Sequence, residues 1–226
     1  MKGRAAIIVP AYNEASYISE TLRTLRQHPS FLDCWLVVVD DGSEDGTGVL
    51  AKIWADDVVC LHKNEGKGKA LRQGIEAVDA DYFLFVDADV GTTARYTECL
   101  LSIVRSGECE MAIACPPAAE RGGFGLAKRL ARRKIRQITG ITIQAPLSGQ
   151  RALTRRAVEA VKEWDVGFGI EAAMTVDVLR AGLPIREVPL VIRHREHGKS
   201  LEGFWHRGRQ YLAIQKVMAK RREIGR

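Results

Sequence analysis

Tyr82-Phe83-Leu84-Phe85-Val86-Asp87-Ala88-Asp89 is five apolar residues followed by two carboxylates one residue apart. An aromatic and β-branched run without polar alternation reads as a strand buried on both faces, the kind a parallel sheet uses. Working back towards the N-terminus, similar runs lie at Ala5 to Val9, Trp35 to Val39 and Val58 to Leu61. Between them, apolar residues recur at helical spacing: Ile18, Leu22 and Leu25; then Val49, Ile53 and Trp54; then Ala70, Leu71, Gly74, Ile75 and Val78. Strand alternating with helix predicts a mostly parallel sheet with right-handed crossovers and helices on its faces. Ligands of such sheets sit beyond the carboxyl ends of the strands. The polar clusters Tyr12-Asn13-Glu14, Asp40-Asp41-Gly42-Ser43 and Asp87-Ala88-Asp89 fall there.

Beyond Val90 the rhythm loosens. Arg95 to Val104 reads as helix, and Met111 to Cys115 as a short strand stopped by Pro116-Pro117. Arg121 to Thr139 is a basic helical stretch, and Arg155 to Lys162 and Glu171 to Leu179 are further helices. Ile185 to Ile192 is strand-like, with Pro189 marking an edge or a bulge. Leu201 to the end reads as one amphipathic basic helix. There is no repeat and no low-complexity linker, so residues 1–226 are expected to form a single α/β domain.

With 226 residues, 46% hydrophobic and 27% charged, the chain has enough apolar material for a core, which argues against disorder. No apolar run approaches the roughly 18 residues of a membrane span, and no signal-peptide core follows Met1-Lys2-Gly3-Arg4, so a cytoplasmic protein is expected. Cys34, Cys60, Cys99, Cys109 and Cys115 form no C-x-x-C pair, which points to buried reduced thiols rather than disulfides or zinc. The net charge of +6 implies an anionic partner. No nucleic-acid-binding motif or aromatic stacking pattern accompanies it, so a nucleic acid is not expected.

Paired carboxylates at a strand end suit magnesium or manganese, which take hard oxygen ligands and phosphate oxygens together. The pair has company. Pro10-Ala11-Tyr12-Asn13-Glu14, Val39-Asp40-Asp41-Gly42-Ser43, Asn64-Glu65-Gly66-Lys67-Gly68-Lys69 and Asp87-Ala88-Asp89 occur in that order. Leu147-Ser148-Gly149-Gln150-Arg151, Gly167-Phe168-Gly169-Ile170-Glu171 and Glu187-Val188-Pro189 follow, leading to Arg195, Gly198 and Ser200. This succession resembles the family 2 glycosyltransferases of the GT-A fold, and within them the dolichyl- or polyprenyl-phosphate sugar transferases.

The resemblance implies an inverting, metal-dependent enzyme that binds a nucleotide-sugar donor, UDP favoured over GDP, with Mg2+ or Mn2+ as cofactor. It implies a nucleotide-binding half over 1–90, an acceptor-binding half over 91–200 and a basic helix over 201–226. Pro10, Tyr12, Glu14, Asp40, Lys67 and Asp87 would bind the nucleotide-sugar. Asp87, Asp89 and a histidine, His197 or its neighbour His194, would hold the metal. Ser148, Arg151 and Arg195 would meet phosphates, and Glu171 would be a general base if the acceptor is a hydroxyl. Gly91 stands where many lipid-phosphate transferases carry a glutamine ligand. A polyprenyl phosphate leads as acceptor, with a small phosphorylated acid such as phosphoglycerate as the alternative. A non-catalytic nucleotide-binding protein on this scaffold is the alternative of another class. The basic stretches at Arg121 to Arg136 and after Leu201 could rest on an anionic membrane face, making the protein peripheral, or could pack as ordinary amphipathic helices.

Overall fold

The computed structural model describes residues 3–116, 125–194, 215 and 217–221. The expected apolar runs become β1 (Ala5–Ala11), β2 (Cys34–Asp40), β3 (Asp57–Cys60) and β4 (Tyr82–Phe85). They are joined by β5 (Met111–Cys115), β6 (Arg151–Thr154) and β7 (Ile185–Pro189). Among the described residues these form one sheet in the order β3-β2-β1-β4-β6-β5-β7. All pairings are parallel except those of β6 with β4 and β5. β6 escapes a reading of the sequence because four residues beginning with Arg151 carry no legible period. Pro189 ends β7 opposite Cys115, at the sheet edge, as its missing N–H requires.

The strands alternate side chains between two cores. Ile8, Val39, Phe83, Phe85 and Ile113 face one layer, and Ile7, Val9, Val38, Leu84 and Ala112 face the other. Helices α1 (Ile18–Gln27), α2 (Thr47–Ala51) and α4 (Glu98–Arg105) contribute to the second core. Helices α3 (Lys67–Glu76), α5 (Gly125–Thr139), α6 (Arg155–Glu159) and α7 (Ile170–Arg180) contribute to the first. In α7 every residue from Ile170 to Val178 is buried, as befits a helix that is not amphipathic.

Several expectations need correction. Val49 and Ile53 do not form a core stripe: α2 is barely more than one turn, and they stand 71% and 66% exposed while Ala51 packs inward. Of the helix expected from Arg95 to Val104, the part from Glu98 on is α4, and its first residues end a 3-10 segment, Gly91–Thr97. β3 is an edge strand and half-exposed, so only one neighbour shields it. The cysteines are all free thiols, yet Cys60, on that edge, is exposed.

The described turn of the C-terminal segment is docked on the domain. Val217 and Met218 are buried, and the Arg221 guanidinium makes a two-point ion pair with Asp177 of α7, at 2.9 Å to Oδ1 and 2.7 Å to Oδ2. Arg221, expected on the basic face of an amphipathic C-terminal helix, is therefore part of the core. The remainder of the expected helix over 201–226 lies outside the described residues.

Candidate functional site

β1 lies between β2, which leads on to β3, and β4, which leads away from them, so the chain reverses its direction across the sheet at β1. That reversal opens a crevice at the strands' carboxyl ends. The β1 and β2 ends are in register, Pro10 beside Val39 and Ala11 beside Asp40. Pro10 and Asp40 therefore lie at neighbouring strand ends, with Tyr12 and Glu14 on the loop that follows β1, Tyr12 45% exposed and Asp40 buried. The two loops are stitched to each other. Asn13, at φ 54°, donates its N–H to Ser43 Oγ, Glu44 N–H donates to Asn13 Oδ1, and Glu14 N–H donates to Thr47 Oγ1. Asp40 Oδ1 accepts the Ser43 N–H at 3.0 Å, so this carboxylate also caps the turn.

Asp41, the acidic residue that follows β2, fastens a second loop. Its carboxylate, 3% exposed, accepts the N–H groups of Glu65 (2.7 Å) and Gly66 (2.8 Å). Burial raises its pKa despite those two bonds. Asp41 thus fastens the turn from which α3 starts, and Lys67 is the first residue of that helix.

The Asp87-Ala88-Asp89 turn is held by Thr21 of α1, whose hydroxyl donates to Ala88 O and accepts the Gly91 N–H, each at 2.8 Å. Lys67 Nζ lies 2.6 Å from Asp87 Oδ1 and 2.8 Å from Glu171 Oε1. Burial alone would lower the lysine's pKa, but the two carboxylates outweigh it and hold it charged, above its ordinary range. Burial likewise opposes ionisation of Asp87, and Lys67 overcomes it, leaving the carboxyl below its usual value. On its other oxygen, Asp87 accepts from Gln150 Nε2 at 2.7 Å. Asp89 Oδ1 is 3.1 Å from His194 Nδ1. Burial lowers the His194 pKa, but Asp89 and Asp87 together raise it above the ordinary value.

One ligand atom from each of Asp87, Asp89 and His194 lies within 4.8 Å of the others. Two carboxylate oxygens and an imidazole nitrogen, beside an open crevice, form a donor set that fits Mg2+ or Mn2+ with phosphate oxygens completing the shell. Of the two histidines weighed from sequence, His194 is the one placed here. His197 and Arg195 lie outside the described residues.

Arg151 is the clearest correction. It is fully buried, and its guanidinium donates to Ser148 O, Pro146 O and Thr175 Oγ1 at 2.8–2.9 Å. Burial pulls its pKa down to about 10, with Glu171, Glu187 and Asp87 resisting. Enclosed and bonded to the turn before β6 and to α7, it presents nothing to a ligand phosphate. Ser148 is half-buried on that turn. Glu187 pins the preceding loop by accepting the Gln144 and Ala145 N–H groups at 2.8 and 2.6 Å, and Arg132 donates to Gln144 O. Sequence reading missed Gln150 and Thr21. Gln150 stands inside a motif already singled out, whereas nothing in the sequence marks Thr21, a mid-helix threonine.

A mostly parallel α/β sheet carrying an Asp-x-Asp turn at its switch point, with a metal-type cluster beside it, has the GT-A architecture. The chain belongs to glycosyl transferase family 2, a family of enzymes, whose profile matches residues 6–161. It is 31% identical over 197 residues to glycosyltransferase AglJ of Haloferax volcanii, covering 85% of this chain and 64% of that one. To the undecaprenyl-phosphate mannosyltransferase of Micrococcus luteus it is 29% identical over 217 residues, covering 87% and 86%. The chain spans less than two-thirds of AglJ and 32% of the length of AglD, another Haloferax volcanii glycosyltransferase. Its fold matches the crystal structure of Mycobacterium tuberculosis glucosyl-3-phosphoglycerate synthase in complex with Mn2+, UDP and glucosyl-3-phosphoglycerate. The TM-score is 0.76 at 23% identity, over 96% of this chain and 80% of that one.

Proposed function

We propose that this protein transfers a sugar, with inversion, from a nucleotide-diphosphate donor to an acceptor whose attacking oxygen is already ionised, a polyprenyl phosphate. The observation that carries this reading is the Lys67–Glu171 contact of 2.8 Å. A hydroxyl acceptor needs a general base, and the Glu171 carboxylate is already engaged by the Lys67 ammonium. A phosphate acceptor needs no base. The likeness to an undecaprenyl-phosphate mannosyltransferase supports the same class.

Asp87, Asp89 and His194 would hold the divalent cation, which when bound neutralises charge on the departing diphosphate. Pro10, Tyr12, Glu14 and Asp40 would hold the nucleoside at the β1 and β2 ends. Lys67, held between Asp87 and Glu171 at the start of α3, would add positive charge beside the donor phosphates, where a helix N-terminus also favours anions. UDP is the favoured donor nucleotide, supported by the UDP complex of the similar fold. Access to a lipid would come through α5, which carries no acidic residue and exposes Arg129, Arg133 and Arg136 on its outer side, with Leu126 at 73% exposure. Each cation near an anionic bilayer contributes on the order of 1 kcal/mol. No described helix is long and apolar enough to cross a membrane.

A phosphoglycerate acceptor is the second reading, favoured by His194 beside Asp89 and by the synthase whose fold is similar. The deciding experiment offers labelled UDP- and GDP-sugars with Mn2+ to the full chain. One arm holds undecaprenyl phosphate in vesicles containing anionic lipid, and the other holds 3-phosphoglycerate. Label should enter the lipid, and Asp89→Ala should reduce transfer by about a hundredfold or more. Label in the glycerate instead would sink the lipid reading. No transfer to either, with nucleotide still bound, would favour a non-catalytic scaffold.

A further inference from the structure

The Asp87 carboxylate is held from both sides, by Lys67 on Oδ1 and by Gln150 on Oδ2. Gln150 is only 1% exposed. Its main chain is anchored as well, its carbonyl accepting the Ala114 N–H at 3.0 Å. The residue before it is glycine, and a Cβ there would stand 2.3 Å from Asp87 Oδ2 and 2.6 Å from Lys67 Nζ, so both side chains would have to shift to admit one. The turn is therefore built to bring the Gln150 amide against this one carboxylate.

An ionised carboxylate offers about four lone-pair positions. One bond on each oxygen sets the plane of the group and leaves a lone pair on each for another ligand. Oδ2, the oxygen that Gln150 holds, is also the one 4.0 Å from His194 Nδ1. A neutral amide is suited to this place. It orients the carboxylate without adding a second cation to compete with a metal ion, Lys67 having supplied one already.

We infer that Gln150 is the positioning residue that aims Asp87 at a divalent cation, an inference that rests on the metal site proposed above. Partners that orient metal ligands from behind typically change affinity about 10- to 100-fold when removed. The test uses Gln150→Met, close in size but without a donor, with Gln150→Leu as a second apolar variant. Mn2+ binding to the full chain is read from the free-Mn2+ electron paramagnetic resonance signal, without donor or turnover. The melting temperature of the metal-free protein is read in parallel. The expected result is a Mn2+ Kd weakened about 10- to 100-fold with a metal-free melting temperature little changed. A Kd within about twofold of wild type would overturn the role of Gln150, and so would a fall in melting temperature with unchanged Kd, which marks a structural part only. Wild-type protein that binds no Mn2+ would overturn the metal site itself, and the inference with it.

Discussion

A charged side chain beside a cleft can serve a ligand or the fold, and burial decides which. Arg151 and Lys67 both read as phosphate binders in the sequence. Arg151 is fully enclosed by carbonyls and a hydroxyl, whereas Lys67 keeps about a third of its side chain exposed between two carboxylates. Residue type was legible in both, but exposure was not. The cysteines divide in the same way. Burial pushes the Cys34 thiol up to about 12, with the nearby Arg105 and Asp33 acting in opposite directions. At pH 8 only roughly one part in ten thousand of it would be thiolate, and the thiolate is the nucleophile. Alkylation of the native protein with iodoacetamide at pH 8 should therefore mark exposed Cys60 well before Cys34, as read by peptide mass spectrometry. Equal labelling would mean that β2 opens readily in solution.

At the level of elements, α3 is the part whose placement matters most to the site. Its start is fastened by Asp41, and its first turn presses on the chain after α6. A Cβ on Gly68 would lie 1.8 Å from the Trp164 carbonyl oxygen, and one on Gly74 would lie 2.5 Å from Ile8. Gly68→Ala should therefore destabilise the protein by about 1–3 kcal/mol, since backbone rather than a flexible side chain must give way. It should also shift Lys67 away from Asp87. The check is denaturant unfolding together with the thermal shift produced by UDP and Mn2+, both of which should fall. An unchanged ligand shift would argue that the Lys67 position tolerates movement of the helix. The period of α3 was readable from Ala70, Leu71 and Val78, but what its glycines do was not. Only the packing shows that they are sites of close approach.

Across the whole molecule, the C-terminal turn reaches back to α7, which carries Glu171 in its first turn and Asp177 further along. The Asp177 and Arg221 side chains are 1% and 3% exposed, and Asp177 also accepts the Lys162 N–H. Val217 packs 3.0 Å from where a Cβ on Gly169 would stand, just before Glu171. Breaking a buried pair by removing one partner strands a charge, so Arg221→Met should lower stability by about 3–5 kcal/mol. Urea unfolding monitored by tryptophan fluorescence would measure it. A loss under about 1 kcal/mol would mean that this turn is not docked in solution. The same contact takes Arg221 off the surface, while α5 exposes Arg129, Arg133 and Arg136.

The sequence by itself determined the strand–helix alternation, the parallel character of the first four strands and the placing of the acidic turn at a strand end. It could do so because periodicity and strand-end polarity are local properties, written within a few residues. Tertiary structure alone decided that β6 enters antiparallel between β4 and β5, that His194 stands beside Asp89 across 105 residues of chain, and that Lys67, Gln150 and Glu171 converge on one carboxylate system. Those facts depend on which distant segments share a dielectric boundary and a few ångströms of space. No short window of sequence carries that information, because side chains of one type are driven into water or into the core by neighbours that only the folded chain supplies.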